Sequence, residues 1–165
     1  MDFMHRANRL LPLWIAVGIL FWCHLAEAGD NDLFSKGQNV YVPAYSHIYC
    51  GDREFEFLLA VTLSIRNTDF DHSITILSAD YYDSDGKIIR RYVETPFRLK
   101  PMASMRFVVQ ESDKKGGSGA NFVVRWESTE KVNIPLIESV MIGTRSQQGI
   151  SFTSRGQVIA EHTKQ

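Results

Sequence analysis

The chain has 165 residues, 44% of them hydrophobic, and 18 Lys and Arg stand against 19 Asp and Glu for a formal net charge of −1. That length and apolar content suit one ordinary domain with a core of its own. The basic residues are scattered and form no tract able to neutralise a run of phosphates, which argues against a nucleic-acid partner.

At the N-terminus, His5, Arg6 and Arg9 precede an apolar stretch from Leu10 to Leu25, broken by Pro12, Gly18 and His24. Ala26-Glu27-Ala28 then has the small-x-small pattern of a cleavage site, followed by polar Gly29-Asp30-Asn31-Asp32. This is the three-part layout of a secretory signal, with an apolar stretch shorter than the roughly 20 residues of a bilayer span. The expected organisation is a signal peptide over residues 1–28 and a single domain over residues 29–165, periplasmic or secreted. The alternative is an uncleaved anchor in the inner membrane with the domain facing the periplasm, and membrane contact is expected in that case alone. Lipid attachment at Cys23 is disfavoured by Phe21 and Trp22, where such a signal requires small residues. Cleavage leaves Cys50 as the one cysteine, with no internal disulfide possible. A lone thiol in an oxidising compartment is expected to be buried; an intermolecular bridge and metal ligation are the alternatives.

Beyond the signal, short β-branched and aromatic runs alternate with Gly, Pro, Asp and Asn clusters, and no window carries helical apolar spacing. A strand is predicted at Val40–Tyr49, where Tyr41, Tyr45, His47 and Tyr49 share a face and Pro43 points to an edge position. The clearest run, Phe55–Arg66, places Phe55, Phe57, Leu59, Val61, Leu63 and Ile65 on one face, against Glu56, Thr62, Ser64 and Arg66 on the other. Strands Ser78–Ser84 and Lys87–Glu94 are joined at Asp85-Gly86, a pair suited to a two-residue type I′ hairpin turn. The same period places Met105, Phe107 and Val109 against Arg106 and Gln110, and Phe122, Val124 and Trp126 against Arg125 and Glu127. Further strands fall at Leu136–Ile142 and Ile150–Ile159. About seven or eight strands with turn signals between them predict an all-β fold, an immunoglobulin-like antiparallel β-sandwich, with a closed barrel as the alternative.

Candidate chemistry is sparse. His47 and Cys50 are potential soft ligands for copper or zinc, but positions three apart on a strand face opposite ways and no ligand quartet accompanies them, and the plain reading is a buried thiol beside a surface histidine. The tyrosine stripe with Tyr45 and His47 suits stacking of a ring or sugar, or the rim of a core. Asp83-Ser84-Asp85-Gly86 fails as a calcium loop, because Tyr81 and Tyr92 stand where acidic ligands are needed. Gly116-Gly117-Ser118-Gly119-Ala120 loosely matches a nucleophile elbow, yet a strand rather than a helix is predicted after it. Lys114 and Lys115 ahead of these glycines suggest an anion nest, and a flexible loop is the simpler account. Gly143–Gly156 carries Arg145, Gln147, Gln148 and Arg155 among hydroxyl residues, a set suited to hydrogen-bonding an anionic or polar group, against the plain reading of a polar loop and an edge strand with Ile150 and Phe152 inward.

Four segments, Val40–His47, Leu63–Asp69, Gly116–Phe122 and Gly143–Gly156, resemble a bacterial family of small exported proteins catalogued as domain of unknown function 3124. The resemblance runs from about Gln38 to Val158 and implies a cell-envelope location; it implies no activity, cofactor or catalytic residue. The expectation is a non-catalytic envelope protein, without cofactor, that binds a partner protein or small polar ligand through loops. Arg145, Gln147, Gln148 and Arg155 form one candidate cluster, Tyr45 and His47 a second. A metal-handling or redox protein centred on Cys50 and His47 is the alternative, and a hydrolase using Ser46, His47 or Ser118 a more distant one.

Overall fold

Alternation of apolar and polar side chains decides where these strands form and which way they face. The computed structural model describes residues 33–144 and 149–162; among them are twelve strands, and no helix long and apolar enough to cross a membrane. The strands are β1 (Phe34–Pro43), β2 (His47–Cys50), β3 (Phe55–Leu58), β4 (Ala60–Arg66), β5 (Ile74–Tyr82) and β6 (Ile88–Arg91). They continue as β7 (Phe97–Leu99), β8 (Ser104–Val109), β9 (Asn121–Asn133), β10 (Leu136–Gly143), β11 (Ile150–Arg155) and β12 (Gln157–Glu161). One antiparallel sheet runs β12-β1-β9-β5-β6 with β7 also on β5; a second runs β11-β10-β4-β8; β2 and β3 form a ladder of their own.

The inward faces of the two sheets supply one core. Val40 and Val42 from β1, Ile74 and Ile76 from β5, and Phe122, Val124 and Trp126 from β9 meet Val61, Leu63 and Ile65 from β4 and Ile137 and Met141 from β10, all buried. Each such side chain contributes on the order of 1.5–3 kcal/mol by leaving water. This is the predicted β-sandwich; both sheets end in edge strands, so the closed barrel is set aside.

Where about seven or eight strands are predicted, the structure has twelve, because three predicted strands change sheets midway. Val40–Tyr49 stops as β1 at Pro43, which has no N–H to donate, and restarts as β2 at His47. Phe55–Arg66 divides at Leu59, whose N–H turns to the Ser46 carbonyl at 2.9 Å. Ile150–Ile159 divides at Gly156, where a Cβ would stand 2.6 Å from Val40 Cγ1 and 2.9 Å from the Ile137 carbonyl oxygen. No larger residue crosses at that point without displacing backbone. The strand β7 has no predicted counterpart. These breaks also move side chains: Phe55, predicted inward, is 62% exposed on β3, and Met105 is exposed on the edge strand β8.

The β5–β6 connection differs from the predicted type I′ turn. Gly86 has a φ of +79° whereas Asp85 does not enter the left-handed region. The Gly86 N–H bonds the Asp83 carbonyl, Asp83 N–H bonds the Lys87 carbonyl, and the Asp83 carboxylate accepts from the N–H groups of Asp85 and Lys87. The loop is therefore a three-residue connection with its left-handed position filled by glycine.

At the end of the sandwich where β4 gives way to Asn67, a polar network ties three loops together. Asp69 Oδ1 accepts from the Asp71 and His72 N–H groups and lies 3.1 Å from His72 Nδ1, while Oδ2 accepts from Asn133 N–H at 3.0 Å. Those donors hold the Asp69 carboxyl down at about 2, with the Asp71 N–H the largest contributor. Asn67 accepts from Asp69 N–H and donates to the His72, Leu99 and Lys100 carbonyls.

Candidate functional site

The opposite end is built around the β2–β3 hairpin. Register places Pro43 beside Asn121, Tyr82 beside Asn121, and Gly143 beside Ile150, so β1, β5, β9, β10 and β11 all have an end here. Between β1 and β2 the chain is held from the side: Ala44 N–H donates to the Ala120 carbonyl at 2.9 Å, and both N–H and Oγ of Ser46 donate to the Gly117 carbonyl at 3.1 Å. Tyr45 lies with its ring centroid 5.9 Å from that of Phe152 on β11. Gly143 closes the arrangement, since a Cβ there would fall 2.4 Å from Phe57 Cε1 and 2.6 Å from the Leu58 carbonyl oxygen.

The glycine-rich segment is a fastened loop, not the flexible one expected. Ser84 Oγ donates to the Gly116 carbonyl and accepts from Gly119 N–H, and Ser84 N–H also donates to Gly116. A Cβ on Gly116 would collide with the buried Tyr81 hydroxyl at 2.0 Å, so glycine is a packing requirement. Burial raises the Tyr81 hydroxyl pKa well above its usual range. The anion-nest reading loses its donors, because Lys115, Gly117 and Gly119 N–H groups are directed to Asp113, Lys114 and Ser84. The elbow reading falls as well: Ser118 leads into β9, a strand, and Ser46 spends its hydroxyl proton on Gly117.

On the hairpin itself, His47 and Cys50 exchange the environments expected of them. His47 is 7% exposed, its Nε2 is 3.3 Å from Tyr49 Oη, and the two rings meet edge to face at 5.2 Å. Cys50 is exposed, with Sγ 3.5 Å from the Phe55 carbonyl oxygen. The reason is register: β2 restarts at His47 opposite buried Leu58, which leaves Cys50 opposite exposed Phe55 at the ladder's open end. Among the described residues no group of three or more His, Cys, Asp or Glu side chains could hold a metal ion. The four-residue stripe is divided accordingly, with Tyr41 on β1, Tyr45 in the crossing, and His47 and Tyr49 together on β2. Tyr49 at 53% and Phe55 at 62% exposure present aromatic surface on the two faces of the tip, since Tyr49 stands opposite Glu56 and Phe55 opposite Cys50. Glu56 on β3 pairs with Lys114 at 2.8 Å, and that ammonium holds its carboxyl below the usual range.

Arg145, Gln147 and Gln148 lie outside the described residues. Arg155 does not share their end: it is exposed, opposite Glu138, at the other terminus of the six-residue strand β11. At about 3.4 Å per residue this sets it roughly 17 Å along the strand from Ile150. Ile150 and Phe152 are half-buried, as the plain reading of this strand expects.

The family described as "Protein of unknown function (DUF3124)" matches residues 37–159. The chain belongs to this family. No curated protein matches it. A solved structure titled "Crystal Structure of Thermotoga maritima 1070" is similar at 16% identity, covering 73% of this chain and 92% of that one, with a TM-score of 0.43. Within the DUF3124 match, Val40–His47, Gly116–Phe122 and the first residues of Gly143–Gly156 meet at the hairpin end, whereas Leu63–Asp69 leads into the polar network at the other. Sequence reasoning missed Tyr49 and Phe55 as surface residues of this DUF3124 chain. The separate ladder that carries them, with Tyr49 opposite Glu56 and Phe55 opposite Cys50, was hidden because the apolar alternation of Phe55, Phe57, Leu59 and Val61 continues into β4.

Proposed function

We propose that this protein is a non-catalytic cell-envelope protein, periplasmic or secreted, that binds a partner protein or a small polar ligand through the hairpin end of its sandwich. An anchored form facing the periplasm is the alternative location. The observation that carries the reading is the meeting of three separated sequence segments around a hairpin whose tip exposes Tyr49 and Phe55. Aromatic side chains held on a fixed scaffold give contact area at small entropic cost, which favours a protein partner over a small ligand. A photo-crosslinking side chain at Phe55, introduced in the producing bacterium, is expected to yield a discrete adduct. Tyr49→Ser with Phe55→Ser should abolish co-purification of that species while leaving the fold intact. Adducts formed equally well from Arg155, on the far end of β11, would sink the assignment.

The second reading, a redox or metal-handling protein, is supported by the exposure of Cys50. An exposed thiol should react with an aromatic disulfide reagent in the native protein as fast as in the unfolded one. Cys50→Ser should change stability by no more than about 0.5 kcal/mol, as a surface substitution does. Within this reading, a labelling rate that rises after chelation marks a thiolate held by metal, and a rate that chelation leaves unchanged sinks the metal-handling form.

A further inference from the structure

The end of the sandwich away from the hairpin carries a second surface. Phe70 is 75% exposed, Leu33 73%, Met102 58% and Phe34 49%. Hydrogen bonds gather these residues into one place: Ile134 N–H donates to the Leu33 carbonyl, Thr68 Oγ1 to the Ile134 carbonyl, and Met102 N–H to the Asp69 carbonyl next to Phe70. Neither loop is loosely held. Phe70 sits between Asp69, whose carboxylate is saturated with donors, and Asp71, one of those donors. Met102 holds a φ of +56°, a left-handed conformation seldom adopted by residues other than glycine, asparagine and aspartate. A fastened pair of loops that holds large apolar side chains in water marks a surface meant to be covered.

We propose that this end is a lipid-contacting face, on which Phe70, Met102, Leu33 and Phe34 enter the interfacial region of an anionic bilayer; the proposal rests on the anchored form of the chain. Reach selects the occupant. The apolar stretch Leu10–Leu25 is separated from Leu33 by the seven residues 26–32, which span at most about 25 Å when fully extended. The 13-residue strand β9, from Asn121 at the hairpin end to Asn133 beside Phe34, is about 41 Å long at a strand's rise. In the anchored form, chain length keeps Leu33, which lies at the Phe70 end, within that extended reach of the bilayer. Charge agrees: Lys36, Arg66, Arg98, Lys100, Lys131 and Arg155 are exposed on the elements that end here, against Asp71, Glu130 and Glu161, an excess of the sign that anionic headgroups attract. Aliphatic, aromatic and thioether side chains at loop tips are the kind that partition into a membrane interface.

The test uses the full chain, purified from the envelope fraction, with Phe70→Trp and, as a control at the other end, Tyr49→Trp. Each is added to vesicles of phosphatidylcholine and phosphatidylglycerol whose acyl chains are brominated, and the emission of unsubstituted protein, from Trp14, Trp22 and Trp126, is subtracted. The added emission of Phe70→Trp is expected to shift blue and fall about twofold or more in brominated vesicles, while that of Tyr49→Trp stays as in buffer. Phe70→Ser with Met102→Ser should keep the native circular dichroism and lose vesicle-dependent protection of Lys100 from acylation. Equal emission of Phe70→Trp with and without brominated lipid overturns the proposal, whether or not the N-terminal segment is found intact by mass. A blue shift that appears without vesicles and grows with protein concentration overturns it too, in favour of a second copy on this face.

Discussion

Asp69→Asn is expected to cost about 2–4 kcal/mol at neutral pH, the range for removing several hydrogen bonds to a charged acceptor in a buried setting. The native carboxylate is 7% exposed and takes backbone N–H bonds from Asp71, His72 and Asn133. Asparagine offers one carbonyl oxygen in place of two acceptors, and its amide N–H group faces the Asn133 N–H, donor against donor. The pH dependence has a definite sign. The folded-state pKa is lowered from 3.8 to about 2, so the carboxylate's contribution is fully present above the unfolded value and disappears as pH falls through the folded one. Urea unfolding of wild type and variant should show the full difference at pH 7, and the two curves should converge as the pH is taken from 4 towards 2. A difference that stayed constant over that interval would mean that the loop is held by packing and not by this charge.

The second large effect concerns two glycines on either side of the β10–β11 connection. Gly143→Ala should destabilise the fold by about 1–3 kcal/mol, the scale of overpacking in a closed site. The new methyl group would meet Phe57 and the Leu58 carbonyl, and backbone of β3 must move to admit it. Gly149→Ala, six residues later, meets nothing within 4 Å and is expected to be neutral or slightly stabilising. Thermal unfolding of the two variants should therefore separate clearly. The Gly143 variant should also weaken any partner bound at the hairpin, since β3 is the strand that it displaces. Equal behaviour of the two would show that the hairpin does not rest on Gly143.

The core faces were legible because a strand buried on one side writes its environment into every second residue: Phe122, Val124 and Trp126 are inward as their spacing predicts, and so are Val61, Leu63 and Ile65. The sheet crossings were legible only where backbone chemistry marks them. Pro43 and Gly156 are such marks, although the edge position expected from Pro43 is not found: β1 lies between β12 and β9, and the proline marks the end of the strand instead. Leu59 carries none; the trace it leaves in the sequence is an unbroken apolar run, Phe57-Leu58-Leu59-Ala60-Val61, inside a segment that elsewhere alternates. The same blindness governed the candidate site. Burial of a cysteine and exposure of a histidine are sound expectations by residue type, but a strand that restarts four residues after Pro43 resets which positions face the core. Tertiary closeness was beyond reach from the chain alone: nothing in Ser46, Ser84 or the glycines between Gly116 and Gly119 announces that they bind one another.

The crossings at Ala44–Ser46, Leu59 and Gly156 bear on how the molecule comes apart. In a sandwich whose sheets are joined by long surface loops, one sheet can peel away while its partner stays paired. Here the chain passes between sheets three times within strand-like segments whose own N–H groups are bonded at the seam, so opening either sheet unzips the covalent edge of the other. Slow amide exchange in β4 and β10 should then share one opening free energy with β1 and β9, with no partly opened species for a protease to catch.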